Sequence, residues 1–258
     1  MKLSLKFSKG KVTELVGEFL GSFFLLFVLF VSPLILRGNE PLLVGLFFMA
    51  LLFVFGVFSK GHFNPLFTIA DFLVVVYEAL KSKDYSKVKE EAIKMGGYLA
   101  VQLLAGIVAF ALAYRLRDQL LDYQLVAAGY ADSPEVKDQL ISSVKYGTSF
   151  DAKFQNLAFV LEMFFSMALV LFSQITAKYY KSVRPFVLGL AIFTFMVFLN
   201  DITGASFNPF RSIVAWMFLP EEYGSTVWLY IAAPLLGTLF ASGIFYGLTV
   251  LKPQAKKD

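Results

Sequence analysis

Two copies of one short pattern constrain this chain more than any other feature. GHFNPL occupies 61–66 and ASFNPF occupies 205–210, which sets Asn64 and Asn208 144 residues apart. Each Asn-Pro pair follows a glutamate embedded in an apolar segment, and the distance is the same in both halves. Glu18 precedes Asn64 by 46 residues, and Glu162 precedes Asn208 by 46. Hydrocarbon should exclude these residues, so a repeat this regular predicts a duplicated membrane protein whose two copies face one polar path.

Composition agrees with a membrane chain. At 58% hydrophobic residues and a mean hydropathy of +0.69, the 258 residues are too apolar for an ordinary soluble domain. Six apolar segments, at about 12–36, 42–58, 96–114, 154–177, 186–199 and 226–250, are candidates to cross a bilayer core. The fifth is short and borrows residues from Ser182 onward. The first follows several lysines like a signal peptide, but it is too long for one and carries Glu14 and Glu18. Two further apolar stretches, 64–77 and 208–219, are too short to cross, and each opens on Asn-Pro. Re-entrant half-helices fit that length.

The expected fold is therefore all-α: six transmembrane helices plus two re-entrant half-helices, arranged as an inverted repeat in a single domain spanning 1–258. The first repeat covers about 10–115, a long connecting loop about 116–152, and the second repeat about 153–251. With three spans per half, the second copy is inverted, which places the site near the midplane where the broken helices meet. With the N-terminus cytoplasmic, that side receives 16 of the 23 basic residues and the other side seven. The positive-inside rule then puts both termini in the cytoplasm of a multi-pass protein, expected in the cell membrane. The charged stretch 81–94 reads as a solvated helical extension.

Several function classes drop out. There are no cysteines and His62 is the one histidine, so thiolate and His-cluster metal sites are excluded and no cofactor is expected. Basic residues form no aromatic-basic stripe, so nucleic acid is not an expected partner. No nucleophile–base pair points to an enzyme.

The chemistry lies in the two turns. Asparagine is a favoured helix N-cap, and proline suits the first helical position because its missing N–H would be unpaired anyway. Asn64-Pro65 and Asn208-Pro209 are thus helix starts. Each cap accepts from its own helix through the side-chain oxygen and leaves the amide NH₂ to donate outward. Two such caps meeting at the midplane give paired donors, backed by the positive ends of two helix dipoles. Water or a hydroxylated solute can accept from them, while a cation meets a barrier.

The segments ahead of each Asn are too irregular for spanning helix, and backbone of that kind survives at depth only when it is buried in protein or lines a wet cavity. Carbonyls of Gly61, His62, Gly204 and Ala205 are predicted to form an acceptor ladder. Glu18 and Glu162 are expected to accept hydrogen bonds from the loop of their own half rather than handle solute. Arg211 is expected to line the path as a cation-repelling donor. The His62 ring is expected to pack against Glu18 or backbone. Gly17-x-x-x-Gly21 and Gly243-x-x-x-Gly247 read as small-residue faces for close helix approach.

Taken together, GEFLGSF (17–23), GHFNP, the 98–102 stretch, Glu162, TGASFNPFRS (203–212) and APLLG (233–237) resemble the major intrinsic protein family, the aquaporins and aquaglyceroporins. The resemblance covers nearly the whole chain. It implies a homotetramer in the lipid bilayer with one pore per subunit, passing water and also small neutral solutes such as glycerol, with protons and ions excluded. It also implies a narrow outer filter at Val44, Met196, Ala205 and Arg211. Here the chain departs from both common types, since the first two positions carry neither the aromatic nor the histidine of water-selective members. NPL and NPF replace the usual NPA, and Leu66 and Phe210 are expected just behind the constriction. Two rival readings stay open: a relative kept for membrane architecture or adhesion with a narrowed pore, and a channel for ammonia or hydrogen peroxide.

Overall fold

Helix α1 (Lys9–Ile35) is followed by α2 (Glu40–Val54), the re-entrant α3 (Pro65–Ser82), which runs past the expected 64–77 stretch, and the long α4 (Val88–Ala127). The order then repeats. A 3₁₀ turn at Ala152–Phe154 leads into α5 (Gln155–Tyr179), and a second at Lys181–Val183 leads into α6 (Arg184–Thr203). Re-entrant α7 (Pro209–Phe218), the one-turn α8 (Pro220–Tyr223) and α9 (Val227–Leu251) complete the chain. This computed structural model describes residues 9–35, 39–130, 135, 136, 138, 139 and 146–251, and no strand occurs among them. Lys2, Lys6, Arg37, Lys137, Lys145, Lys252, Lys256 and Lys257, which enter the charge tally, lie outside the described residues.

Five helices are long and apolar enough to cross a membrane: α1, α4, α5 with its leading turn, α6 with its leading turn, and α9. The sixth expected span, 42–58, forms only the 15-residue α2. At 1.5 Å per residue it reaches about 22 Å, and turn backbone from Phe55 onward carries the chain further. The outer surface is apolar, with Leu190, Val197, Phe198, Phe240 and Leu248 all exposed, as a lipid-facing wall requires.

Within each half the first helix packs on the last, α1 on α4 and α5 on α9, while α2 packs on α6 across the junction. That junction is a glycine crossing. A Cβ on Gly45 would lie 2.6 Å from the Gly189 carbonyl oxygen, and one on Gly189 would lie 2.7 Å from the Gly45 oxygen. These glycines are themselves 144 residues apart, so the repeat extends to helix packing. Half-helix α3 packs on α4 and α9, and α7 packs on the same two helices.

Two readings of the sequence need correction. The connecting loop does not begin near residue 116, because α4 continues to Ala127. Past Tyr114 the sequence changes from apolar to mixed, with Leu121 and Leu125 buried one turn apart while Arg115, Asp118 and Asp122 are exposed. The composition shift marks a change of environment, not a helix end. The helix stops at Gly129, whose φ of +78° lets Tyr130 N–H bond the Leu125 carbonyl at 2.8 Å. Gln124 Nε2 donates to the Leu34 carbonyl, tying this extension to the end of α1. The second correction concerns the small-residue faces. Gly17 and Gly21 do press against Phe58 and Phe63, but among the described residues nothing lies within 4 Å of a Cβ on Gly243 or Gly247. The 81–94 stretch is the end of α3, a turn at 83–87 and the first turns of α4.

Candidate functional site

Both half-helices start as their Asn-Pro pairs dictate. Asn64 Oδ1 accepts from Leu66 N–H at 2.9 Å, and Asn208 Oδ1 accepts from Phe210 N–H at 3.0 Å. Pro65 and Pro209 occupy the first helical turn and are buried. The caps meet by reaching across the junction. Asn64 Nδ2 donates to the Phe207 carbonyl at 2.7 Å, and Asn208 Nδ2 donates to the Phe63 carbonyl at 3.4 Å. An amide NH₂ carries two hydrogens, so the expectation of a fully free donor changes: one N–H of each cap locks the opposite loop and one remains.

The loops ahead of the caps are held by the two glutamates, both fully buried. Glu18 accepts from Ser59 Oγ (2.9 Å), His62 N–H (3.3 Å), Phe63 N–H (2.5 Å) and Gln102 Nε2 (2.7 Å). Glu162 accepts from Thr203 Oγ1 (2.6 Å), Ser206 N–H (3.0 Å) and Phe207 N–H (3.3 Å). Shifting residue numbers by 144 maps Ser59, His62 and Phe63 onto Thr203, Ser206 and Phe207. The same shift relates two further bonds. Gly61 N–H donates to Ser59 Oγ at 3.0 Å, as Ala205 N–H donates to Thr203 Oγ1 at 3.2 Å. His62 Nδ1 lies 3.0 Å from Thr68 Oγ1, as Ser206 Oγ lies 2.9 Å from Ser212 Oγ.

These anchors hold strained backbone. Phe63, Ala205 and Phe207 have φ of +50°, +46° and +46°, in the left-handed region that side chains avoid, and Gly61 sits at +60°. Such conformations cost about 1–3 kcal/mol each and persist where surrounding bonds over-determine them. Gly61 and Ala205 are again repeat equivalents, as are Phe63 and Phe207.

The caps open on a narrow cavity. Val44, Met196 and Ala205, three of the four expected filter residues, line it together with Asn64 and Asn208. Leu25, Leu29, Phe48, Phe67 and Ile192 make the rest of the wall largely apolar, with Ser206 adding a hydroxyl. The fourth filter residue, Arg211, is buried beside this lining, and its Nη1 donates to the carbonyls of Gly204 (3.0 Å) and Ala205 (3.2 Å). Leu66 is fully buried, and neither it nor Phe210 borders the cavity. Phe207 does.

Other predicted residues lie elsewhere or act differently. The His62 side chain turns away from the caps into a cleft between α3 and α4, its Nε2 3.2 Å from Asp71 and its ring beside Tyr98. Only its backbone N–H reaches Glu18, so the expected ring contact is absent. Three carbonyls of the predicted ladder are already bonded to guanidinium groups: Gly204 and Ala205 to Arg211, and Gly61 to Arg184. A carbonyl oxygen has two lone pairs, so each keeps capacity for a second donor. The sequence reading gives Ser59, Thr203, Thr68, Ser212 and Gln102 no part in anchoring the loops. The first four could have been found by applying the 144-residue shift to every polar residue near the motifs. The far end of the connecting segment also folds onto α7, with Thr148 Oγ1 2.6 Å from Ser212 Oγ.

Known proteins give the same picture at the level of family and fold. A family model described as major intrinsic protein matches residues 5–246. The chain is 27% identical to a glycerol uptake facilitator protein-like 6 of Lactiplantibacillus plantarum, over 88% of this chain and 94% of that protein. It is also 27% identical to an aquaporin Z of Rhodopseudomonas palustris, over 93% of each. Among solved structures, the aquaglyceroporin from Plasmodium falciparum superposes with a TM-score of 0.67 at 20% identity, covering 92% of this chain and 96% of that one. With six apolar helices, two re-entrant half-helices and a family match along nearly its whole length, the chain is a multi-pass integral membrane protein that belongs to the major intrinsic protein family.

Proposed function

We propose that the protein is a passive channel for water that also passes small neutral solutes such as glycerol, and that it excludes protons and ions. One observation carries this reading. The two capping amides meet across the repeat junction, each tied to the other half's loop, beside a cavity whose remaining wall is largely apolar. Each amide keeps one N–H for a passing oxygen, and the ends of both half-helices present positive potential there. A neutral hydroxyl is thereby bound weakly from one side, while a cation is repelled. The relatives named as a glycerol facilitator and an aquaporin support the same solute class.

Val44, Met196, Ala205 and Arg211 form the filter in this reading. Arg211 supplies its charge, and Met196 supplies an adaptable side wall. Gly61, His62 and Gly204 contribute loop carbonyls. Both termini lie in the cytoplasm, the protein resides in the cell membrane, and four copies assemble with one pore each.

Stopped-flow light scattering on proteoliposomes tests the proposal. Osmotic shrinkage faster than in empty vesicles supports a channel, and re-swelling in a glycerol gradient supports solute passage. The narrowness of the cavity, bordered by Phe48, Phe67 and Phe207, favours a second reading in which the protein serves membrane architecture. Shrinkage at the empty-vesicle rate would select that reading.

A further inference from the structure

A second arginine occupies, on the first repeat's loop, the place that Arg211 occupies on the second. Arg184 opens α6, yet its guanidinium reaches the loop ahead of α3: Nη1 donates to the Lys60 carbonyl at 3.0 Å and Nη2 to the Gly61 carbonyl at 3.2 Å. Arg211 bonds the carbonyls of Gly204 and Ala205. Residues 60 and 61 become 204 and 205 under the 144-residue shift, so the two arginines grip equivalent carbonyl pairs. The side chains themselves are not equivalent. Position 67, the counterpart of Arg211, is Phe67, so the first repeat's loop takes its cation from a helix of the second repeat.

The electrostatic setting also matches. Each guanidinium meets neutral oxygens: loop carbonyls in both cases, plus Ser173 Oγ at 3.1 Å for Arg184. Among the described residues no carboxylate lies within 4.0 Å of either, and the nearby Asp71 is paired with Lys60 and His62 instead. The Nε of each is buried without a protein partner among the described residues. Because the repeats are inverted, equivalent loops enter from opposite faces of the membrane.

We infer that Arg184 is a second charge filter at the mouth opposite Arg211, so that a cation meets a fixed guanidinium at each end of the path. This inference rests on the channel reading. Its consequence follows from barriers in series. When two comparable barriers at the mouths exceed the midplane barrier of the half-helix ends, removing one raises the leak by at most ~2-fold, whereas removing both exposes the full increase.

The experiment measures proton and potassium leak in proteoliposomes, normalised to osmotic water flow in the same vesicles. Arg184→Gln and Arg211→Val are each expected to raise leak by no more than ~2-fold, and the double variant by ~10-fold or more. Arg184→Lys in the Arg211→Val background should bring leak back toward the single-variant level. A double variant no leakier than Arg211→Val alone overturns the inference. So does a lysine variant as leaky as the glutamine one, because Arg184 would then be a strut for the loop and not a charge. The chain lacks cysteine, which allows a control within one folded preparation. Arg184→Cys in the Arg211→Val background is labelled with either an aminoethyl or a methyl thiosulfonate. The cationic label should lower leak and the neutral one should not; equal leak overturns the inference. Wild-type vesicles with no water flow above background would instead remove the channel reading, and this inference with it.

Discussion

Replacing Glu162 with glutamine separates the role of its charge from that of its shape. Oε1 accepts from Thr203 Oγ1 and Ser206 N–H, while Oε2 accepts from Phe207 N–H alone. The least damaging orientation of a glutamine keeps its carbonyl on the Oε1 side and turns NH₂ toward the Phe207 amide. One buried backbone donor is then left facing another donor, at a cost of about 1–3 kcal/mol. The two remaining bonds lose their charged acceptor, which weakens each by about 0.5–1 kcal/mol. The sum is about 2–5 kcal/mol, drawn entirely from a loop that carries φ of +46° at both Ala205 and Phe207. Arg211 loses its platform at the same time, because the Gly204 and Ala205 carbonyls it bonds belong to that loop.

Amide hydrogen exchange read by mass spectrometry localises the effect. Peptides covering 203–208 should exchange roughly 30-fold faster or more, the lower end of the computed cost, while those covering 59–64 stay at the wild-type rate. Glu18→Gln should produce the mirror result. A change under ~3-fold at 203–208, or equal acceleration of both loops, would refute the claim that the carboxylate charge holds its own half's loop.

Three further outcomes follow from the same geometry. Asn64→Ala and Asn208→Ala each remove a cap worth about 1 kcal/mol, and the shorter cross-junction bond of Asn64 should make its loss the costlier in thermal denaturation in detergent. Gly21→Ala places a Cβ 2.1 Å from the Phe63 ring and should lower the detergent melting temperature sharply, whereas Gly243→Ala, with open space around it, should be neutral or raise it. Ala205→Gly should be tolerated or stabilise by up to about 1 kcal/mol, because φ of +46° suits glycine, while Gly204→Ala, at φ +72° and with Thr148 3.2 Å away, should destabilise.

What the sequence disclosed, and what it hid, divides along the repeat. Much of the loop chemistry is duplicated in type: Glu18 with Glu162, Ser59 with Thr203, Asn64 with Asn208, Thr68 with Ser212. Duplicated polar residues in apolar surroundings are visible without coordinates, and their matched spacing fixes the inverted fold. The end of α4 was hidden because hydropathy reports burial in lipid, and a helix that leaves lipid for protein and water loses its apolar run without losing its hydrogen bonds. The direction of the His62 ring was hidden because the competing partner, Asp71, lies on the next turns of α3 and not in the motif. Arg184 was hidden for a deeper reason. The positive-inside tally had already absorbed it as a topological charge, and its repeat counterpart is Glu40, so no symmetry argument marks it. A fold made by duplication conserves the constraints its backbone imposes on both halves, namely anchored strained loops and capped half-helices. The charge each loop carries is free to come from wherever a helix start passes within reach. In this chain the second loop takes its cation from its own half-helix and the first takes it from across the junction, a difference that only the folded geometry records.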